Sequence, residues 1–398
     1  MSLFFKPQAE SRAVSTDWIA GTSMGGSSTK SGVNVTSHRA MQHGAMWSSV
    51  HLLASIVSNL PVDVFRGVGE SKTAVLPAPS LVGSPSLIVT RREWVYQAMV
   101  SLLLRGNAIG TVVEKDSLQR PKVVEWLDPD AVTIKQASSV DRPTYWLGTR
   151  ELHRDNVIHM RAYLRPGSAV GMSPVEYHAE KIGLGLAAEK FGAEFYGGGG
   201  HPTALFQNTK AKIDPTQAAT IKERILGVMK GRREPLVLGS DWDYKPLQVS
   251  PTESAFISAQ GYTDSQIAHL YGPGLAEVLG YSSSGSSLTY SNRVDRSLDL
   301  MTYTVMPWVS RFEDMWTSNI AQPQTARMNV SALLRADPKS QMEMFRTARE
   351  IGLYNIDEER GLLDLPPLPD GEGQDYTPLK MSAPAPAPAP EGDEDGNQ

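Results

Sequence analysis

The 398-residue sequence contains no cysteine. That excludes disulfides, iron–sulfur clusters and thiolate zinc sites, and it fits a reducing cytoplasm. No run of eighteen apolar residues occurs, so no membrane-spanning helix is expected. The opening stretch Met1-Ser-Leu-Phe-Phe-Lys6 lacks a basic flank ahead of its short apolar patch, which predicts no secretory signal. The eight histidines include no His-Glu-x-x-His and no pair spaced i, i+4, so neither a metal nor another cofactor is expected. No tandem repeat is visible.

An excess of positive charge is lacking too. Lys and Arg number 38 against 43 Asp and Glu, for a formal charge of −5. Residues 371–398 hold six acids and one base, so the remainder carries 37 of each sign. A neutral body argues against tight neutralisation of phosphates, which needs several Lys or Arg per site. What is present is an ordinary folded composition, 40% apolar and 20% charged, with length for two or three domains.

Segments of both helical and strand period alternate along the chain, which predicts an α+β fold. The first 35 residues are rich in Gly, Ser and Thr and read as a mobile arm. A helix with Ser37 as N-cap is expected to carry Met46, Val50, Leu53, Ile56, Val57 and Leu60 on one face and to stop at Pro61. Thr90-Arg-Arg-Glu93 is a capping box for a second helix with Trp94, Ala98 and Leu102 inward, ending at Gly106. Strands are expected at 108–114, 123–127, 132–135, 145–147 and 157–160. Two start signals, Ser173-Pro-Val-Glu176 and Ser250-Pro-Thr-Glu253, open helices predicted to reach Tyr196 and Tyr271. They bracket a small α/β insert with a strand at 203–206, a helix capped by Asp214 and a hairpin at 236–245. A long helix over 288–320 should be kinked by Pro307, and shorter helices are expected at 338–351 and 356–363. The run Ala383-Pro-Ala-Pro-Ala-Pro-Ala-Pro390 with the following acids reads as an extended, disordered tail.

Ten stretches, in order, resemble the portal proteins of long-tailed double-stranded DNA phages. They are Val50–Ala54 with Leu60–Arg66, Leu104–Ala108, Leu127–Asp130, Val157–Arg161, Gly171–Glu176, Leu186–Glu189, Tyr290–Asn292, Met306–Val309, Leu333–Asp337 and Gly361–Pro367. The resemblance implies a ring-forming portal fold in which 36–172 is the first part of an α/β wing. Residues 173–200 and 250–272 would be the stem helices, and 201–249 the clip. Residues 273–288 would hold the tunnel loop, 289–337 the spine helix and a strand, and 338–370 a short crown-like helical region. It also implies a non-enzymatic homo-oligomer of about a dozen subunits at the capsid vertex of a virion, made in the host cytoplasm. Its expected partners are the major capsid protein, the terminase large subunit, head-completion or adaptor proteins, and double-stranded DNA held weakly and without regard to sequence.

The candidate channel residues are Tyr281, Ser282, Ser283, Ser284, Ser286 and Ser287, whose hydroxyls could touch phosphates without a cation to hold them. A flexible linker is the alternative reading. Lys230, Arg232 and Arg233 form the clearest basic cluster, either a docking surface on the clip or a solvated helix end. Gly197, Gly200 and Pro307 are expected hinges. His159 falls within a strand as an ordinary packed residue, and Met41, Met46, Met99 and Met160 suit core packing. A rival reading is a soluble α/β hydrolase or transferase using the Ser-x-x-Lys of Ser27–Lys30. That stretch sits in the Gly/Ser-rich arm, however, and lacks the companion motifs. Thr29 also stands where a phosphate-binding loop needs glycine.

Overall fold

The computed structural model describes residues 27–67, 72–197, 204–208, 214–217, 219–221, 223, 242–246, 253–281, 298–330, 338–363 and 365–378. The chain divides into two units, residues 1–328 and 329–398.

The expected mobile arm ends before residue 27. Strands β1 (Ser27–Ser28) and β2 (Asn34–Val35) pair as a hairpin, closed by the Thr29 hydroxyl donating to the Val33 carbonyl. The first helix is also split, against expectation. Thr36 caps α1 (Ser37–Ala40), and after a turn His43 caps α2 (Gly44–Ser58). The break arises because the His43 ring takes the Ala45 N–H, a start signal that apolar periodicity does not reveal. All the expected apolar positions of α2 except Ile56 are fully buried.

Downstream, β3 (Val62–Arg66) pairs with β4 (Thr73–Ala74), and α3 (Ser80–Gly83) leads to α4 (Arg91–Arg105). The capping box of α4 is closed in both directions between Thr90 and Glu93. Its end is set by Gly106 at φ +69, where a Cβ would collide with the Met172 carbonyl oxygen. Strands β5 (Asn107–Lys115) and β6 (Pro121–Leu127) follow, then the meander β7 (Val132–Lys135), β8 (Thr144–Leu147) and β9 (Arg150–Leu152), and β10 (Val157–Arg161). The first sheet has the order β10-β5-β6 and the second β7-β8-β9, both antiparallel. Ile109, Val132, Ile134 and Tyr145 form the apolar seam between them.

Trp94 is the hub of this body. Its ring is fully buried, its indole N–H donates to the Val124 carbonyl at 2.7 Å, and its own carbonyl accepts from the Trp126 indole at 2.9 Å. The Trp126 ring lies 4.5 Å away and the Trp316 ring 6.4 Å away on the other side. One aromatic residue of α4 thus ties a sheet to the spine helix.

A polar network lies beside the hub. Asn107 donates both amide hydrogens, to the Arg105 and Gly171 carbonyls, so its oxygen accepts from the Gly171 N–H and the His159 Nε2. His159 therefore carries its proton on Nε2, and Nδ1 accepts from the Tyr145 hydroxyl at 3.1 Å. Desolvation, with a smaller push from Arg161, lowers the His159 pKa to about 3. It is a neutral packing residue, as its strand position suggested.

The first expected stem helix is interrupted as well: α5 (Pro174–Tyr177) is separated from α6 (Ala179–Gly197) by His178 at φ −111. Ser173 caps as expected, but Glu176 does not close a box. It accepts from Arg105 at 2.9 Å instead. In the insert, β11 (Ala204–Asn208) pairs antiparallel with β12 (Trp242–Pro246). Thus the described partner of 242–246 is 204–208, and the expected hairpin strand 236–238 lies outside the described residues. Residues 215–217, 219–221 and 223 are helical. The second stem helix, α7 (Glu253–His269), ends near the expected Gly272 and is followed by α8 (Leu275–Val278).

Pro307 does not produce a simple kink. A π-helical turn over Leu300–Val305, with the Met306 N–H bonded to the Met301 carbonyl, takes up the missing hydrogen bond ahead of α9 (Met306–Asn319). The chain then returns as β13 (Gln324–Met328) to pair with β3. In the second unit, α10 (Pro338–Glu350) and α11 (Ile356–Leu362) match expectation. The tail begins later than expected, because residues 371–378 are placed on α11, with the Tyr376 hydroxyl donating to Glu358.

Candidate functional site

The two expected stem helices, α6 and α7, contact each other, and α7 also packs on α2; Ala179 and Ile182 on the first and Ser265, Ile267 and Ala268 on the second are buried. Lys181 Nζ donates across the pair to Gln266 at 3.3 Å. The exposed face carries large apolar side chains beside the charged Glu180, Lys181 and Lys190. Leu184 and Phe191, seven residues apart and so on one stripe, are 57% and 54% exposed, and Tyr262 on the second helix is 62% exposed. Tyr177, before the break at His178, is exposed as well.

Where the pair meets the wing, His43 sits between both helices. Its ring is 1% exposed, and its Nε2 lies 3.7 Å from Glu189 on α6 and 3.5 Å from Asp264 on α7. The ring gets this close because residue 185 is glycine; a Cβ there would overlap Nε2. Burial raises the Asp264 pKa, while His43 opposes the shift. The sequence reading passed over His43; the one signal was a polar side chain ahead of Gly44 at a helix restart.

The loop root lies one turn further along α2. Tyr281, an expected channel residue, has its hydroxyl 3.0 Å from the Ser48 hydroxyl, and its N–H bonds to the Ala276 carbonyl. Gly272, at φ +132, lies against Thr304, whose hydroxyl donates to the Pro273 carbonyl at 2.7 Å. Gly197 is the last residue of α6, and Pro307 lies in the first turn of α9. Ser282, Ser283, Ser284, Ser286 and Ser287, the basic cluster Lys230, Arg232 and Arg233, and Gly200 lie outside the described residues.

The Ser-x-x-Lys stretch does not form a catalytic unit. Ser27 is in β1, and Lys30 is in the hairpin turn, where its backbone N–H donates to Glu180. Among the described residues, no group of three His, Asp or Glu could hold a metal. No described helix is long and apolar enough to cross a membrane.

An α/β body from which two long helices run to a small insert and back is the fold of a portal subunit. The structure superimposes on an HK97-family phage portal protein from Corynebacterium diphtheriae with a TM-score of 0.58 at 15% identity, covering 76% of this chain and 98% of that one. It also matches a chain from the neck of a native gene transfer agent particle computed with C12 symmetry, with a TM-score of 0.54 at 18% identity, covering 83% of this chain and 94% of that chain. Residues 44–364 match the family described as phage portal protein, and the chain belongs to that family. It is 27% identical over 389 residues to a probable portal protein of Streptomyces phage phiC31, covering 89% of this chain and 82% of the relative. It is 22% identical over 366 residues to the portal protein of Enterobacteria phage HK97, covering 85% of this chain and 82% of the relative. Its function is that of a portal, a structural component of the phage virion at the capsid vertex.

Proposed function

We propose that about a dozen copies close into a ring around a central channel, through which DNA enters the capsid and later leaves. The observation that supports self-assembly most directly is the outward stripe of Leu184, Phe191 and Tyr262 on helices already packed together on their inner face. Covering half of a large apolar side chain is worth about 1 kcal/mol, and every copy in a ring gains it. The native gene transfer agent neck, computed with C12 symmetry, favours the same count.

Three finer assignments belong to this reading. The clip, with Lys230, Arg232 and Arg233, receives the terminase large subunit during packaging and head-completion proteins afterwards. The serines of 282–287 line the channel and touch DNA without holding it, in keeping with the balanced charge of the body. The wing meets the major capsid protein, and the ring is a conduit with no catalysis of its own.

The test is the double variant Leu184→Asp with Phe191→Asp. Native mass spectrometry should find monomers in place of rings, with the far-ultraviolet circular dichroism of the parent. Rings of unchanged size and yield would remove the stem stripe as the assembly surface.

A further inference from the structure

His43 performs two tasks that require opposite things of its ring. As N-cap of α2, its Nδ1 accepts the Ala45 N–H at 3.3 Å, so that nitrogen carries no proton. The proton is on Nε2, which faces Asp264 at 3.5 Å and Glu189 at 3.7 Å, one carboxylate from each stem helix. Both distances exceed the 2.7–2.9 Å or so of a charge-assisted hydrogen bond, so the neutral ring holds the helices loosely.

We infer that His43 is a protonation-driven latch between wing and stem. A second proton can bind only at Nδ1. There it confronts the Ala45 N–H, and the cap of α2 is lost. In return the imidazolium stands between two carboxylates and draws both stem helices towards the wing. Among the described residues, Glu189 and Asp264 are the charged groups within ion-pair range of the ring. The positive pole of α2 opposes them, as an uncapped helix N-terminus disfavours a cation. Gly185 lies against the ring, which is buried. The latch does not depend on the channel reading, because every group it uses lies within one chain.

Hydrogen exchange read by mass spectrometry on the assembled full-length protein at pH 7.5 and 5.5, corrected for intrinsic rates, tests it. On acidification the amides of residues 45–47 should lose about fivefold in protection, the worth of one cap. The first turn of α4, capped by Thr90, should not change. His43→Asn retains a capping side chain that cannot gain a proton, and its protection at 45–47 should be the same at both pH values. Asp264→Asn removes one of the two carboxylates that favour the imidazolium, and its loss of protection at 45–47 between the two pH values should be smaller than that of the parent. A parent with no pH dependence at 45–47 overturns the inference. So does an equal loss in His43→Asn, or an Asp264→Asn variant that loses as much protection as the parent.

Discussion

Acidification offers a quantitative check on the buried network around Asn107. His159 has a pKa of about 3 in the folded chain, against an ordinary value of 6.5 when unfolded. Between these values the unfolded chain binds a proton that the folded chain refuses, so stability falls as pH drops through 6.5 and is fully present above it. The linkage relation gives a loss of about 2 kcal/mol at pH 5 compared with pH 7. Part of the ring edge meets solvent, so about 1–2 kcal/mol is the expected figure. The perturbation is His159→Gln, which keeps a donor for the Asn107 oxygen and removes the titration. Urea unfolding of parent and variant at pH 7 and pH 5 then isolates the histidine, since the carboxylates contribute alike to both. The parent should lose about 1–2 kcal/mol more than the variant over this interval. If both lose the same amount, His159 is not held neutral by its surroundings, and the proton assignment through Asn107 is wrong.

Gly106→Ala places a side chain at φ +69 against the Met172 carbonyl and should cost about 2–3 kcal/mol, read as a lowered melting temperature of the purified protein. Replacing Lys230, Arg232 and Arg233 together by Ala should leave rings intact and weaken terminase or adaptor binding, most strongly at low salt. Unchanged binding at low ionic strength would return the cluster to a solvated helix end. Removing three residues from 282–287 should leave assembly unaltered but change how much DNA the capsids package and retain; normal packaging and retention would make that segment a connector only.

Elements written in adjacent residues were the ones legible in the sequence. The Thr90–Glu93 box, the Gly106 stop and the buried Trp94, Ala98 and Leu102 depend on contacts within one helix or on simple periodicity. So do five of the six strands between 107 and 161, each recovered to within one or two residues; the short β9 (Arg150–Leu152) was not foreseen. What escaped was set by distant partners. The break before Gly44 depends on a histidine wedged between two helices more than a hundred residues away. Glu176 looked like half of a capping box because nothing local reveals that Arg105 is beside it. Tyr281 looked like the start of a loop because its tie to Ser48 spans most of the chain. The same holds for β13, whose partner β3 precedes it by some 260 residues. The exposure of Leu184, Phe191 and Tyr262 likewise became visible only with the helices in place.

The tryptophan hub also makes the wing optically readable. Trp94 and Trp316 are shut away from water, and the Trp126 ring centroid lies 4.5 Å from that of Trp94 with the planes tilted by 35°. Indoles this close couple their electronic transitions, which produces a paired near-ultraviolet dichroic band tied to their mutual orientation. Shielded indoles also emit at shorter wavelength than wet ones. None of the three rings lies on α6 or α7, so the dichroic couplet should report the integrity of the α/β body separately from ring closure. A subunit that fails to assemble but keeps the couplet has lost its neighbours, whereas one that loses the couplet has lost its fold.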